Sequence, residues 1–227
     1  MATAGDVTYR ARIALNDVIT IRWSADELRR WASDAQREVL KHVPEAGVAT
    51  EIYSDLVAGS TVQRLDPDLC YKLIRVEANV NGTGWGRVIR LVQRDVIDSF
   101  AATWQQQTAT GAAATYFKAW AADVNDPCAF YVYPPARADD SVWVTYSKIP
   151  AELTDDADLL TLSDVYVDAM TDYILFRAYL KRARTYSAEA ANAALQRFGA
   201  QLKLSRAILD SIAAYAQRPS VDPPVTP

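Results

Sequence analysis

Few side chains in this chain are of types and spacings that could do chemistry. They are His42, the run Gly82-Thr83-Gly84-Trp85-Gly86, the acidic group Glu152, Asp155, Asp156 and Asp158, and the cysteines Cys70 and Cys128. His42 is the only histidine and stands just before Pro44, in the last turn of a predicted helix. A charged imidazole there would meet the negative end of the helix dipole, which is a structural role. No nucleophile-elbow sequence accompanies it, so a Ser-His-Asp arrangement has no starting point. The glycine run lacks a following GKS or GKT and is not spaced as GxGxxG, so it reads as a tight hairpin rather than a phosphate cradle. The carboxylates could in principle hold a divalent cation for a metal-dependent hydrolase. They do not follow the EF-hand pattern, which needs Gly at the sixth position and Glu at the twelfth. A solvated acidic loop before a helix is the simpler reading. The cysteines form no CxxC unit and, with a single histidine, make no zinc set. They are expected to be buried free thiols. The residues therefore predict no catalytic centre, no cofactor and no metal.

The balance of charge narrows the partners. The 227 residues carry a formal charge of −4, and half of them are hydrophobic. A DNA-wrapping protein or a sequence-specific DNA-binding module needs a basic excess to displace counterions. A mildly acidic surface instead suits DNA that passes by without sticking. No apolar run approaches the roughly 20 residues that span a bilayer. The opening Met1-Ala2-Thr3-Ala4-Gly5-Asp6 lacks the basic and apolar regions of a signal peptide, which predicts folding in the cytoplasm and no membrane partner.

Three stretches of different texture must position whatever this chain uses. In the first, Ser24 caps a helix to about Lys41, with Glu27 placed to return a bond to the cap amide. Trp23 and Leu28 flank the cap, and Leu28, Trp31, Ala35 and Val39 recur at helical spacing. A shorter helix over about 6–15 precedes it. The middle, from Thr50 to Val144, has β character in Glu51-Ile52-Tyr53, Thr61 to Leu65 and Ser141 to Tyr146. Asp66-Pro67 predicts a brief helix near Asp68 to Ile74, and another is expected within Gln93 to Trp104. The last stretch is helical again. Ser163 opens a helix to about Thr185 whose seam is Leu162, Tyr166, Ala169, Tyr173, Phe176, Leu180 and Ala183. A second long helix, Ser187 to Gln217, has its seam at Ala191, Leu195, Phe198, Leu202, Leu209 and Ile212, with Gly199 allowing close packing. The pair predicts an αα-hairpin.

The expected architecture is α+β: a helical bundle that includes a long C-terminal αα-hairpin, with a β-rich insert in the middle. Its segments are 1–48 (N-terminal helices), 49–150 (insert), 151–217 (hairpin) and 218–227, an extended proline-rich arm.

Three surfaces look made for contact. Asp126-Pro127 launches Cys128-Ala129-Phe130-Tyr131-Val132-Tyr133, and Pro134-Pro135 ends it, which suggests a short, edge-like aromatic strand. Asp164, Asp168 and Asp172 form one acidic stripe, with Leu175 and Tyr179 on the same side and Arg182 at its end. Apolar anchors among charges suit a subunit interface. The arm from Arg218 through Val221, Pro223 and Pro224 could dock on a partner.

Leu15-Asn16-Asp17, Arg22-Trp23, Leu28, Trp31 and Ala35-Gln36-Arg37-Glu38 open an ordered series. It continues through Pro44, Ala58-Gly59, Gln63, Leu65, Asn79, Gly86-Arg87, Arg90, Arg94-Asp95, Asp98 and Trp104. Asp126-Pro127, Phe130 to Pro135, Pro150 and Arg177-Ala178-Tyr179 complete it. Over about residues 10–200 this series resembles the head–tail adaptor (connector) proteins of tailed bacteriophages. The resemblance implies a non-enzymatic virion protein, made in the host cytoplasm, that forms a ring, commonly of twelve copies. Such a ring joins portal to tail tube or nozzle while genomic DNA passes through its channel. Its expected subunit or tail interface comprises Phe130, Tyr131, Tyr133, Pro134, Pro135, Trp85, Asp168, Asp172, Leu175, Tyr179 and Arg182. Its expected portal interface comprises Leu209, Ile212, Tyr215, Arg218, Val221, Pro223 and Pro224. The neighbouring reading is another ring-forming virion protein such as a tail terminator.

Overall fold

The computed structural model describes residues 1–82, 84–106, 116–181 and 187–216. It is a mixed α+β protein that divides into two compact units. One is built from Met1–Ala46 and the chain from Pro150 onward, the other from Gly47–Ile149.

The first unit holds α1 (Ala4–Ala14) and α2 (Ala25–His42). Thr3 caps α1 with a reciprocal box: its hydroxyl accepts from the Asp6 amide, and the Asp6 carboxylate accepts from the Thr3 amide. Ser24 caps α2 by accepting from the Glu27 amide at 3.2 Å. The Glu27 carboxylate pairs with Lys181. Leu28, Trp31, Ala35 and Val39 are all buried, as their spacing requires. Helix α2 ends at His42, and Pro44 opens a single 3-10 turn.

The same unit contains α4 (Val167–Lys181), α5 (Ala188–Gln201) and α6 (Arg206–Ala216). A 3-10 turn over Asp164–Tyr166 leads into α4. The expected extension of α4 toward Thr185, with Ala183, lies outside the described residues. A seam on one side understates this helix: besides Ala169, Tyr173 and Phe176, its Met170, Ile174, Leu175 and Ala178 are buried. It packs against α1, α2 and α5, and a helix apolar nearly all round belongs inside a core.

The single helix expected from Ser187 to Gln217 is two. After Leu202 the chain turns left-handed at Lys203 (φ 56°). The Lys203 amide donates to the Ala200 carbonyl and the Leu204 amide to the Gly199 carbonyl. These are the two bonds of a Schellman cap. Lys203 is not glycine, which hides the stop from a sequence reading. The helical seam still holds on both sides of the break, with Ala191, Leu195, Phe198, Leu202, Leu209 and Ile212 buried.

Among the described residues, the second unit has eight strands in two four-stranded sheets. They are β1 (Val48–Tyr53), β2 (Val62–Arg64), β3 (Cys70–Asn81), β4 (Gly84–Val88), β5 (Arg90–Leu91), β6 (Ala119–Ala122), β7 (Ala129–Tyr133) and β8 (Val142–Lys148). One sheet runs β1-β8-β3-β4, antiparallel throughout; the other runs β2-β7-β6-β5, with β5 and β6 parallel. Val76, Val142 and Val144 of the first sheet share one core with Trp120, Phe130 and Val132 of the second. A short helix, α3 (Arg94–Phe100), packs through Ile97 into a smaller cluster with Trp104 and Ala121.

Two expectations change here. Cys70 to Ile74 begins strand β3, not a helix. Asp66 makes a turn, accepting from the Leu69 and Cys70 amides, and the chain then pairs with β8. The cysteines are not free: Cys70 and Cys128 are joined, with Cα atoms 6.1 Å apart across 58 residues. The two lie at the starts of β3 and β7, a proximity that only the folded sheets create.

Gly199 tests the packing between α5 and α6. A helix-interior Gly→Ala change favours the helix by about 1 kcal/mol. Here the added methyl would stand 2.5 and 2.7 Å from the Leu209 methyls. Overpacking costs about 1–3 kcal/mol, so Gly199→Ala is expected to lower stability in urea unfolding. In a Leu209→Ala background the same change is expected to raise it. A gain in both backgrounds would contradict the close approach.

Candidate assembly surfaces

Helix α4 turns part of its expected contact face inward. The Asp172 carboxylate accepts from Arg197 Nε at 2.8 Å and from Gln201 Nε2 at 2.9 Å, both on α5. Asp168 pairs with Arg10 of α1 at 2.7 Å, and Asp164 accepts from the Ala2 amide. The acidic stripe therefore fastens α1 and α5 to α4. Asp172 and Leu175 are buried within the chain, which corrects their assignment to a partner face. Asp168 is exposed and Tyr179 half-buried, while Arg182 lies outside the described residues.

The aromatic strand is also more internal than its sequence suggests. β7 is not an edge: β2 pairs on one side of it and β6 on the other. Phe130 is fully buried with Val132 between the sheets, so its ring cannot serve as contact surface. Alternation sends Tyr131 and Tyr133 to the opposite face, where both are half-buried. Tyr131 donates its hydroxyl to Asp123 at 2.9 Å and accepts from Arg94 at 3.2 Å. The Arg94 guanidinium lies 4.7 Å from the centre of the same ring. Trp104 meets Tyr131 edge-on at 5.9 Å, and Phe100 meets Tyr133 at 5.4 Å. Pro134 is half-buried and Pro135 buried. Trp85, on the outer strand β4, is exposed and stacks on Trp143 with centroids 5.1 Å apart.

At the other end, Leu209 and Ile212 of α6 are buried under the chain itself, so they hold α6 in place and are not open to a partner. Tyr215 falls within α6. Arg218, Val221, Pro223 and Pro224, with the whole expected arm, lie outside the described residues.

The residues considered for chemistry are engaged locally. His42 Nε2 lies 3.1 Å from Glu38 one turn earlier. Asp156 pairs with Arg29 at 2.9 Å. The Asp158 carboxylate accepts from the Thr154 and Asp155 amides; those bonds, from Asp155 and then Thr154, hold its carboxyl below the usual value. Among the described residues no group of three or more His, Cys, Asp or Glu side chains is placed to hold a metal ion. Gly82, at φ 62°, turns the hairpin between β3 and β4.

Several polar residues of the sequence series prove to be buried anchors. Gln63 bridges the Val57 amide and carbonyl and the Ser60 carbonyl. Asn79 donates to the Arg87 and Phe117 carbonyls and accepts from the Phe117 amide at 2.6 Å. Asp17 is buried and accepts from three successive amides, Ile21, Arg22 and Trp23, at 3.0–3.1 Å. It thereby holds a loop with left-handed Asn16 and Thr20 (φ 52° and 54°). That loop exposes Val18, Ile19 and Ile21, a surface the sequence reading missed. The available signal was an apolar run, Val18-Ile19-Thr20-Ile21, lying between two predicted helices and assigned to neither.

Among the described residues no helix is long and apolar enough to cross a membrane. A family model described as SU10 adaptor protein matches residues 2–224. No curated protein matches the chain.

The Asp17 clasp has a signature in acid. Burial pushes its carboxyl up, but the Trp23, Arg22 and Ile21 amides together outweigh this and hold it below its ordinary value of 3.8. A depressed folded pKa contributes stability above the unfolded value and loses it as pH falls through the folded one. Asp17→Asn is expected to lower stability by about 1–2 kcal/mol at pH 7. The gap to wild type should narrow as pH drops below about 4. A gap that stays constant from pH 7 to pH 2 would contradict the clasp.

Proposed function

The chain belongs to the SU10 adaptor protein family of phage head–tail adaptors, and from that premise we propose a specific place for it in the virion. In this reading twelve copies form a ring between the portal and the tail tube or nozzle, and the ring lines the DNA exit channel without catalysing a reaction. The observation that carries it is a family match covering nearly the whole chain rather than one segment.

Physical features support the reading. The net charge of −4 disfavours adhesion of DNA to the protein, as a conduit requires. The helices of the first unit serve as the bundle, with α4 and α5 as its hairpin. The sheets of the second unit offer Trp85, Tyr131, Tyr133 and Pro134 toward a neighbouring copy or the tail. Asp168 and Tyr179 contribute from the exposed edge of α4. The segment from Arg218, with Val221, Pro223 and Pro224, engages the portal, and a proline-stiffened arm suits that task because little entropy is lost on docking.

Two experiments bear on this. Phage unable to make the chain is expected to yield DNA-packaged heads separate from tails by electron microscopy; fully joined particles would remove the adaptor reading. Truncation after Gln217 is expected to weaken binding to purified portal by at least tenfold, and unchanged affinity would remove the portal role of the arm.

A further inference from the structure

Cys70 and Cys128 stand at the starts of β3 and β7, so the bond between them ties one sheet of the second unit to the other. It spans 58 residues of chain. Both cysteines are 4% exposed and belong to the core that the two sheets share, with Leu65, Leu73 and Val144.

The backbone on either side of this bond is held by other contacts. The Leu73 amide of β3 donates to the Pro127 carbonyl at 2.8 Å, and the Leu65 amide donates to the Cys128 carbonyl at 3.0 Å. The Cys70 amide donates to the Asp66 carbonyl and the Cys128 amide to the Asp126 carboxylate, which also pairs with Arg64 at 2.8 Å. None of these contacts needs the sulfurs to be joined. They hold the two Cα atoms 6.1 Å apart, inside the window of roughly 4.4–6.8 Å in which a disulfide closes without moving the backbone. A reduced cysteine packs as a small apolar residue, so the same core accepts two thiols. The fold therefore presets the pair for bonding without depending on the bond.

We propose that Cys70 and Cys128 form a redox latch on the second unit, open as two thiols while the chain is made and assembled and closed in the released particle. The setting rests on the adaptor reading: a virion protein is made inside a host cell, where thiol reductants keep cysteines reduced, and then enters an oxidising medium. The oxidant is a low-molecular-weight disulfide. One cysteine thiolate attacks it, which forms a mixed disulfide and expels one small thiolate. The other cysteine thiolate then attacks the protein sulfur of that mixed disulfide and expels the second. Two protein thiols thereby lose two electrons and two protons, and the small disulfide becomes two thiols. Burial of both sulfurs slows this exchange and its reversal alike, so the closed state outlasts brief contact with a reductant. Closure removes freedom from the unfolded chain, so the latch adds stability after assembly rather than during it.

The test compares infected cells with purified virions, each opened directly into denaturant containing N-ethylmaleimide, with the chain then weighed by mass spectrometry. Both cysteines are expected to carry the label in chain from cells, and neither in chain from virions. Any other pattern, including thiols in both or the bond in both, would overturn the latch and leave the adaptor reading standing. Virions that lack the chain would remove the adaptor reading, and this proposal with it. The purified full chain supplies a second arm. Oxidation by glutathione disulfide is expected to raise the urea midpoint by about 1–2 M over the reduced chain, and Cys128→Ser is expected to abolish the shift. Equal midpoints for the oxidised and reduced wild-type chain would overturn the latch whether or not the variant folds.

Discussion

Burial of α4 decides which surfaces this chain has left for other molecules. The helix is apolar nearly all round, and each carboxylate that might have faced a partner finds a donor inside the protein: Ala2 for Asp164, Arg10 for Asp168, Arg197 and Gln201 for Asp172. Breaking one partner of a buried charged pair leaves an unpaired charge, which is far costlier than losing a surface ion pair. Asp172 is therefore held by its own fold and is not free for an interface. Contact surface must come from other elements, and in this unit the loop between α1 and α2 exposes Val18, Ile19 and Ile21.

The second unit follows a related logic. With β7 in the middle of its sheet, alternation divides the aromatic run in two. Phe130 and Val132 build the core between the sheets, while Tyr131 and Tyr133 meet Trp104 and Phe100 on the other face. The same run thus contributes to two cores and leaves Tyr131, Tyr133 and Pro134 half-buried. Buried Asn79 and Gln63 fix the backbone around this arrangement, each satisfying several main-chain groups that would otherwise be unpaired.

Local signals were readable in proportion to how local their causes are. The Ser24 cap and the spacing of Leu28, Trp31, Ala35 and Val39 specify α2 within one stretch of chain, and the helix lies where they put it. Gly199 and the apolar seam around it were likewise legible. The stop at Lys203 was not, because a Schellman cap at a non-glycine residue leaves no compositional mark. Long-range pairing was hidden as well. Nothing near Cys70 announces Cys128, and nothing in β7 tells that β2 and β6 will flank it. The surface reading erred where charge was taken as exposure: Asp172 and Leu175 share a helical side, yet both are buried, and Arg197 of α5 holds Asp172. Asp17 stood in the recognisable series from the start; its task became visible only with the three amides it holds.

Everything turns on α4 and Phe130 staying internal to each copy, so that contact with other molecules falls on the elements around them. Oxidative side-chain footprinting of the free chain and of the same chain in virions addresses it directly. Leu175 and Phe130 should be protected in both, while the exposed Val18, Ile19, Ile21, Leu91 and Val124 are labelled in the free chain. Labelling of Leu175 and Phe130 in the free chain, lost only on assembly, would contradict the account.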